Sequence, residues 1–368
     1  GSVLDSLGVN FDKADLVSKN EIKLTYADSS KALAEYDLVR KMRASILVLG
    51  PLLARKREAT VSLPGGCAIG ARPINIHVDA LTQLGGEFNL EKGYIKCEAK
   101  SGLRGAKINL PMISVGATEN IIMAATLAKG ETEINNIATE PEIMDLIDCL
   151  KSMGAIIEVQ DNRRVLIQGV DKLHGTTHTV IPDRIEAGTY IIAGAITKGE
   201  LEVTNLNLEH IDNMISVFKN IGVNILKENN TVRVKESSLI NNIDLDTKEF
   251  PGFPTDMQAQ IMVLLSLAGK PSTIRENIFE NRFMHVPELN RMGANIDTDG
   301  SKATINPCNG FSGAQVMATD LRASVSLVLA SLIATGETTI NRVYHLDRGY
   351  ERLEDKLASC GANIQRIQ

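Results

Sequence analysis

The stretch LKSMGAII at residues 150–157 decides the fold, because its pattern recurs along the whole chain. An apolar turn leads to a glycine, and alternating apolar residues follow. This is typical of a helix that ends at a left-handed glycine and of a strand that begins directly after it. The other copies are LDSLGVNF at 4–11, LTQLGGEF at 81–88, FKNIGVNI at 218–225, LNRMGANI at 289–296 and LASCGANI at 357–364. Copies spaced by roughly 70 residues predict a six-unit repeat.

A second pattern, a helix of small and apolar residues followed by a short strand, alternates with the first. Its copies are SVGATENIIMAATLAKGETEINN at 114–136, DRIEAGTYIIAGAITKGELEVTN at 183–205, TDMQAQIMVLLSLAGKPSTIREN at 255–277, TDLRASVSLVLASLIATGETTINRV at 319–343 and, more loosely, MRASILVLGPLLARKREATV at 42–61. These helices carry so few polar residues that we expect them to be buried on nearly all sides beneath sheets. Helices and strands alternating around one core predict the α/β class.

The length of the chain favours two domains. With 368 residues and a mass of 39.9 kDa, the chain is longer than one hydrophobic core usually grows. Three repeats fall on each side of the Pro182-Asp183 pair, where a turn and a helix cap are expected. We therefore predict a first lobe at 1–181 and a second lobe at 182–368, with a cleft between them.

The first repeat differs from the other five. Gly8 has no helix of small residues upstream, whereas each of the other repeat glycines follows one by roughly 40 residues. We expect from this that about 40 to 50 N-terminal residues are missing from the sequence. A naturally degenerate terminal repeat is the alternative, because terminal repeats are often atypical.

Charge and hydropathy exclude several classes of partner. The net charge of −6 and the pI of about 5.7 give no basic surface for nucleic acid or for an anionic membrane. The sequence has no apolar run of about 18 residues and no charged-then-apolar leader. We therefore expect a cytoplasmic protein that binds neither nucleic acid nor membrane.

Cysteines and histidines give no pattern for a metal or a disulfide framework. The five cysteines are scattered without C-x-x-C spacing, and the histidines lack the spacing of metal ligands. Neither a P-loop nor a strand-linked GxGxxG is present. We expect no metal and no cofactor, and the sequence leaves protein partners unknown.

The loop LPGGCAIGARP at 63–73 is the first candidate for chemistry. Its glycines and prolines keep it out of regular structure, so Cys67 should be exposed, and Arg72 supplies a cation that would favour a thiolate. Cys67 is therefore either a reactive thiol or a surface thiol placed there by chance. The other cysteines lie in helix or strand patterns and are predicted to belong to the core: Cys97, Cys149, Cys308 and Cys360.

Arginines and one aspartate mark further candidate positions. Four arginines, which we place near starts of helices or in the cysteine loop, could form an anion site, because helix N-termini and guanidinium groups both bind phosphate and carboxylate. They are Arg43, Arg72, Arg322 and Arg348. The alternative for each is a surface ion pair. Asp256, in FPTDMQAQ at 253–260, is either a helix cap or an acceptor for the proton of a substrate hydroxyl.

Seven long motifs, in order, resemble those of the UDP-N-acetylglucosamine enolpyruvyl transferases. They are YDLVRKMRAS at 36–45, PGGCAIGARP at 64–73, SVGATENI at 114–121, FPTDMQAQ at 253–260, ENRFMHVPEL at 280–289, MATDLRAS at 317–324 and YHLDRGYERLEDKL at 344–357. The resemblance implies a two-lobed inside-out α/β barrel of six repeated units. It also implies transfer of the enolpyruvyl group of phosphoenolpyruvate to the 3′-hydroxyl of UDP-N-acetylglucosamine with release of phosphate, the first committed step of peptidoglycan synthesis.

The same resemblance implies roles for individual residues. Cys67 would add covalently to phosphoenolpyruvate and react with fosfomycin, and Asp256 would deprotonate the sugar hydroxyl. The four arginines would hold the phosphate and carboxylate of phosphoenolpyruvate. Other implied contacts are Asn75, Ile76 and His77 for uridine, Ser114, Val115 and Gly116 for the diphosphate, Ile278 for the acetamido sugar, and Arg282 and Asp320 for the phosphoenolpyruvate side of the cleft.

Three departures from the family pattern affect this expectation. Asn75 stands where an aspartate is common, and Met112 stands where a lysine is common. The family's N-terminal lysine-asparagine pair has no counterpart, so we expect the polypeptide as written to be inactive or severely impaired. The alternatives are an enolpyruvyl transferase acting on a shikimate-type substrate and a non-catalytic paralogue that binds the UDP-sugar.

Overall fold

The computed structural model describes residues 2–12, 20–27, 33–34, 36–39, 43–63, 74–237 and 239–367. Cys67 and Arg72 lie outside these ranges, as does the side chain of Arg43. The chain divides into two compact units, and the division falls between Val180 and Ile181. The assignment of three repeats to each unit stays a prediction.

Unit 1, before this division, contains six described helices and ten described strands. The helices are Ser2–Ser6 (α1), Tyr36–Val39 (α2), Leu49–Lys56 (α3), Asn75–Gln83 (α4), Val115–Ala125 (α5) and Pro141–Ser152 (α6). The strands are Val9–Asp12 (β1), Lys23–Tyr26 (β2), Leu33–Ala34 (β3), Glu58–Ser62 (β4), Glu87–Glu91 (β5), Tyr94–Glu98 (β6), Lys107–Asn109 (β7), Glu131–Asn135 (β8), Ile156–Gln160 (β9) and Arg164–Gln168 (β10). A 3-10 helix at Arg43–Val48 leads into α3.

Unit 2, after the division, contains six described helices and nine described strands. The helices are Arg184–Ile196 (α7), Leu208–Asn220 (α8), Gln258–Leu265 (α9), Val286–Arg291 (α10), Ser324–Ser331 (α11) and Leu353–Ser359 (α12). The strands are Leu201–Val203 (β11), Asn224–Glu228 (β12), Thr231–Lys235 (β13), Asp244–Asp246 (β14), Ser272–Arg275 (β15), Asn295–Asp299 (β16), Lys302–Asn306 (β17), Gln315–Met317 (β18) and Thr339–Asn341 (β19). Two 3-10 helices, Thr255–Met257 and Val343–Arg348, precede α9 and α12.

The repeated structure is a βαβαββ unit. In the clearest copy the sheet order is β7-β8-β10-β9, with β7 parallel to β8 and the β9-β10 hairpin antiparallel beside them. Two other sheets, β3-β4-β6-β5 and β14-β15-β17-β16, have the same order. Smaller described sheets are β1-β2, β11-β13-β12 and β18-β19. A crossover helix between parallel strands followed by a tight hairpin explains this order.

The glycine that ends each repeat helix has the predicted conformation. All six repeat glycines have positive φ, at Gly8, Gly85, Gly154, Gly222, Gly293 and Gly361. The values, between 85° and 104°, belong to the left-handed region that side chains with a Cβ avoid. A strand follows five of these glycines. The predicted strand after Gly361 is wrong, because 362–367 forms no ladder with the neighbouring β18-β19 sheet.

Helices of small and apolar residues form the centre of each unit, as predicted. All eight residues of α9 are buried, and in α11 seven are buried. Helices α7, α9 and α11 pack on one another in unit 2, and α3 packs on α5 in unit 1. Each fully buried Leu or Ile of these helices contributes about 1.5 to 3 kcal/mol through removal from water. The surrounding sheets and amphipathic helices therefore enclose a helical centre.

Two local predictions have different outcomes. Asp183 is the N-cap of α7, and its carboxylate accepts from the backbone N–H groups of Ile185 and Glu186, so the predicted cap is confirmed. The core prediction for the four other cysteines is wrong for Cys360, which is exposed because it follows the last turn of α12; Cys97 is buried, and Cys149 and Cys308 are half-buried. Within the described ranges, no helix has the length and apolar character that crossing a membrane requires.

Candidate active site

Part of the predicted site falls outside the described residues. This applies to Cys67 and Arg72, and for Arg43 only the backbone is described, at the start of the 3-10 helix Arg43–Val48. The reactivity of Cys67 and the anion contacts of these two arginines therefore stay predictions. The other predicted residues lie in described elements of one unit or the other.

The segment 114–116 of unit 1 forms the start of α5. Ser114 is the N-cap in an extended conformation, and its hydroxyl accepts from the N–H of Ala117 at 3.3 Å. The first N–H groups of a helix have no acceptor within the helix, and the helix dipole adds partial positive charge there. This helix start has the chemistry to bind an anion such as a phosphate.

The segment 75–77 of unit 1 forms the first turn of α4. Asn75 is exposed, whereas Ile76 and His77 are buried. The His77 ring lies against the start of α5, since a Cβ added to Gly116 would be 3.4 Å from its Cε1 and 3.7 Å from its Nε2. The fold thus brings together two of the predicted segments, 75–77 and 114–116.

Asn120 is a polar residue of this region that the sequence argument missed. Its side chain is fully buried in α5 and contacts His77 Nδ1 through Nδ2 at 3.0 Å. Its Oδ1 accepts from the backbone N–H of Gly50 at 2.6 Å, and Nδ2 also donates to the carbonyl of Ile46 at 3.0 Å. An asparagine inside a helix pattern of small residues was the signal that could have identified it.

In unit 2, Asp256 lies in the 3-10 helix Thr255–Met257 and pairs with two arginines. Its Oδ1 is 2.7 Å from Arg282 Nη2, and its Oδ2 is 3.7 Å from Arg322 Nε. The cap alternative is wrong, because no side-chain hydrogen bond caps this helix or α9, and the carboxylate faces the arginines instead. Burial disfavours the charged form of Asp256, but the charges of Arg282 and Arg322 outweigh it and hold the pKa below its ordinary value.

Arg282 is almost fully buried, with 5% of its surface exposed, and is held at both ends of its guanidinium. Its Nη2 pairs with Asp256, and its Nη1 donates to the hydroxyl of Thr255 at 2.9 Å. Its guanidinium also lies 5.2 Å from the centre of the Phe279 ring. Such a planar cation, fixed on two sides, is suited to binding a carboxylate or phosphate.

Arg322 joins the same cluster from the turn before α11. Its Nη2 donates to Asp183 at 2.8 Å, and its Nη1 donates to the carbonyl of Gly349 at 3.1 Å. Asp320 fixes the backbone of this turn, since its Oδ1 accepts from the N–H groups of Arg322 and Ala323 at 2.8 Å each. Burial alone would lower the pKa of Arg322, but the carboxylates of Asp183 and Asp256 raise it overall. Arg322 is therefore a permanent cation.

Arg348 lies beside this cluster but not at a helix start. It ends the 3-10 helix Val343–Arg348, is exposed, and directly precedes Gly349, whose carbonyl accepts from Arg322. The expectation that Arg348 marks a helix N-terminus is wrong, because α12 begins only at Leu353. The hydrogen bond from Arg322 to the carbonyl of the next residue, Gly349, connects this segment to the cluster.

Glu276 organises the turn that carries Ile278, and the sequence argument missed it. Its carboxylate is 3% exposed and accepts from the N–H groups of Ile278 at 2.9 Å and Phe279 at 3.1 Å. It also accepts from Thr255 Oγ1 at 2.8 Å, directly beside Asp256. A buried carboxylate that satisfies several donors holds this turn next to the charged cluster.

His285 lies beneath the cluster in a neutral state. It is fully buried, and its Nε2 lies 3.3 Å from the sulfur of Met262. Burial lowers its pKa to about 4, with Asp320 opposing and Arg282 adding to the shift. The charge of the cluster at neutral pH therefore comes from arginines and aspartates. Within the described chain, no group of three or more His, Cys, Asp or Glu side chains is arranged to hold a metal ion.

Comparisons with known proteins place this geometry in a family. The family description "EPSP synthase (3-phosphoshikimate 1-carboxyvinyltransferase)" matches residues 2–357. A UDP-N-acetylglucosamine 1-carboxyvinyltransferase of Zymomonas mobilis is 56% identical over 348 residues, which are 94% of this chain and 82% of the relative. One of Caulobacter sp. is 50% identical over 369 residues, covering 100% of this chain and 85% of the relative.

The chain belongs to the UDP-N-acetylglucosamine 1-carboxyvinyltransferase family. Carboxyvinyl and enolpyruvyl name the same group, so the predicted family is confirmed, and the protein is a transferase. Solved structures support the predicted fold. The enolpyruvyl transferase NikO from Streptomyces tendae has a TM-score of 0.86 at 24% identity and covers 99% of this chain and 86% of its own. EPSP synthase from Acinetobacter baumannii has a TM-score of 0.74 at 18% identity and covers 100% and 88%.

The family's predicted site residues include members of two described groups, the helix starts of unit 1 and the Asp256 cluster of unit 2. The α4 and α5 starts of unit 1 offer hydrogen-bond donors, and the Asp256 cluster of unit 2 offers one partly exposed carboxylate beside two cations. The predicted site residues that the structure describes therefore fall into two groups, one within each unit.

Proposed function

We propose that this protein transfers the enolpyruvyl group of phosphoenolpyruvate to the 3′-hydroxyl of UDP-N-acetylglucosamine and releases phosphate. The observation that carries the proposal is the identity of 50% to 56% to relatives named for this activity. The Asp256 cluster supports it, because addition to a phosphorylated carboxylic acid requires cations for two anionic groups and an acceptor for the hydroxyl proton.

Asp256 accepts the proton of the sugar hydroxyl in this reaction. Its lowered pKa makes it an ionised hydrogen-bond acceptor at neutral pH but also a weak base while Arg282 and Arg322 hold it. When the phosphate and carboxylate of phosphoenolpyruvate draw these arginines into new contacts, the Asp256 carboxylate loses part of its stabilisation. Its basicity then rises at the moment at which the hydroxyl must lose its proton.

The arginines orient phosphoenolpyruvate and stabilise charge that develops as the hydroxyl adds. Arg322 and Arg348 belong to unit 2, and Arg43 and Arg72 would complete the set. Arg282 and Asp320 line the same side. Cys67 adds covalently to phosphoenolpyruvate, helps to protonate its methylene carbon and is the residue that fosfomycin alkylates.

Unit 1 binds the sugar nucleotide. Asn75, Ile76 and His77 contact uridine, and Ser114, Val115 and Gly116 at the start of α5 hold the diphosphate, for which helix N-termini are suited. Ile278 contacts the acetamido sugar. The product enters peptidoglycan synthesis in the cytoplasm, and through it the enzyme contributes to cell wall formation, cell shape and division.

Phosphate release with two acceptors tests the proposal. Purified protein is incubated with phosphoenolpyruvate and either UDP-N-acetylglucosamine or 3-phosphoshikimate. We expect phosphate only with UDP-N-acetylglucosamine. Release with 3-phosphoshikimate would support the shikimate-type alternative, and binding of UDP-N-acetylglucosamine without any release would support a non-catalytic protein.

Covalent labelling tests the role of Cys67 separately. We expect fosfomycin to add once to the protein in the presence of UDP-N-acetylglucosamine, as measured by intact mass. Cys67→Ser should abolish the adduct, whereas Cys360→Ser, which removes an exposed thiol, should leave it unchanged. An adduct that persists in Cys67→Ser would contradict the proposed role.

A further inference from the structure

The side-chain hydrogen bonds of Asn120 all reach groups outside α5. It lies in the middle of the helix with 0% exposure, and both atoms of its amide contact groups outside the helix. The contacts reach Gly50 at the start of α3, Ile46 in the preceding 3-10 helix, and His77 in α4. One side chain therefore connects three segments of unit 1.

The orientation of the Asn120 amide is fixed by two backbone groups. The N–H of Gly50 can only donate, so the amide atom 2.6 Å away must be the oxygen. The carbonyl of Ile46 can only accept, so the atom 3.0 Å away must be the nitrogen. A flipped amide would place donor against donor and acceptor against acceptor.

The fixed amide in turn determines the tautomer of His77. The second N–H of Asn120 Nδ2 points to His77 Nδ1 at 3.0 Å, and Nδ1 must accept it. The ring is therefore neutral, with its proton on Nε2. A proton on Nδ1 would face an N–H group in a site where both residues are buried.

The protonated edge of His77 lies next to the start of α5. The Cε1 and Nε2 atoms are 3.4 Å and 3.7 Å from the position that a Cβ at Gly116 would take, which is van der Waals distance. The Nε2–H therefore lies on the same side as the first N–H groups of α5, beside Ser114.

We propose that Asn120 is a positioning residue for sugar-nucleotide binding, which acts by locking His77 in the Nε2–H tautomer. His77 then turns an N–H rather than a lone pair toward the start of α5, where the anionic sugar nucleotide binds. This inference rests on the proposed function, in that the ligand is the UDP-sugar bound by 75–77 and 114–116. The tautomer itself follows from the contacts of Asn120 and does not depend on the ligand.

Nitrogen NMR of the ring tests the tautomer without any variant. Protein labelled with ¹⁵N-histidine is measured at neutral pH, and the His77 signals are assigned by their loss in His77→Gln. We expect Nδ1 to resonate as an unprotonated nitrogen and Nε2 as a protonated one. A proton on Nδ1, or an even mixture of tautomers, would overturn the proposal.

An isosteric variant tests the effect on binding. Asn120→Asp keeps the acceptor for Gly50 but replaces the donor to both His77 and the Ile46 carbonyl by an acceptor, which draws the ring proton to Nδ1. We expect KM for UDP-N-acetylglucosamine to rise about tenfold, since the ring then turns a lone pair instead of an N–H toward the anionic ligand, with kcat changed far less. The NMR signals of Nδ1 and Nε2 should exchange their character.

Thr118→Val is the matched control in the same helix. Thr118 is fully buried, and its hydroxyl accepts from the N–H of Ala138 at 3.0 Å, away from His77. It should lower stability but keep the tautomer and KM. An equal rise of KM in both variants would overturn the positioning role. A protein with the Nε2–H tautomer but no affinity for UDP-N-acetylglucosamine would refute the proposed function and, with it, the role of the tautomer in binding that ligand.

Discussion

The two units hold buried polar groups in different ways. In unit 1, the neutral amide of Asn120 is fully enclosed and has three partners that only one orientation satisfies. In unit 2, Asp256 is 38% exposed and shares its charge with Arg282 and Arg322, which are 5% and 12% exposed. The neutral network cannot change partners without leaving a buried group unpaired, whereas the arginines can exchange a carboxylate of the protein for an anion of a substrate. If both groups bind substrate as proposed, we expect the group in unit 1 to stay rigid and the cluster in unit 2 to change its contacts.

Removing the charge of Asp256 should have the largest effect. Asp256→Asn keeps the size of the side chain but removes the proton acceptor and the counter-charge of two arginines. We expect kcat to fall by about 10² to 10⁴, the range typical of losing a general base, as measured by steady-state phosphate release. A kcat within a factor of about three of wild type in a folded variant would show that Asp256 is not the acceptor.

His285 should give unit 2 a pH-dependent stability. The folded protein lowers its pKa from 6.5 to about 4, so the unfolded chain binds a proton that the folded protein excludes. The stability is complete above about 6.5 and decreases as the pH falls from there to about 4, by a total on the order of 3 kcal/mol. Denaturant unfolding of wild type and His285→Gln across this range measures it.

His285→Gln is the control for the pH dependence of wild-type stability. His285→Gln lowers stability at every pH through lost packing, but its stability should depend less on pH between about 6.5 and 4. Equal pH dependence in both proteins would contradict a buried neutral His285.

Adding one methyl group should break the rigid network of unit 1. A Cβ at position 50 would lie 2.3 Å from the backbone oxygen of Asn120, which cannot move without shifting α5. We expect Gly50→Ala to reduce the free energy of unfolding by about 1 to 3 kcal/mol in denaturant titrations. Gly175→Ala is the control, because a Cβ there meets nothing within 4 Å. Similar losses in both variants would refute the tight contact.

Two substitutions of Asp183 should distinguish helix capping from ion pairing in unit 2. Their effect on stability should be the smallest of those predicted here. Asp183→Asn retains a cap for α7 but loses the charge that pairs with Arg322, whereas Asp183→Ala loses both. We expect Ala to be less stable than Asn by about 1 kcal/mol in thermal or denaturant unfolding. No difference between the two would show that the cap contributes nothing measurable.

The sequence predicted features that depend on local pattern. The six repeat glycines, the buried helices and the Asp183 cap each follow from residues close together in the chain. The Asn120 network was missed because it joins residues 43 and 70 positions apart, which only helix packing brings together. The role of Asp256 could not be decided for the same reason, since Arg282 and Arg322 come from other segments. Cys360 is exposed because it follows the end of α12, and the repeat pattern alone does not fix the residue at which that helix ends.

The mass of the sugar nucleotide after incubation with phosphoenolpyruvate tests the proposed transfer most directly. We expect UDP-N-acetylglucosamine to gain the mass of one enolpyruvyl group, with one phosphate released for each product molecule and far less product from Asp256→Asn. A sugar nucleotide of unchanged mass, recovered from folded protein that binds both substrates, would contradict the transfer and the division of roles between the two units.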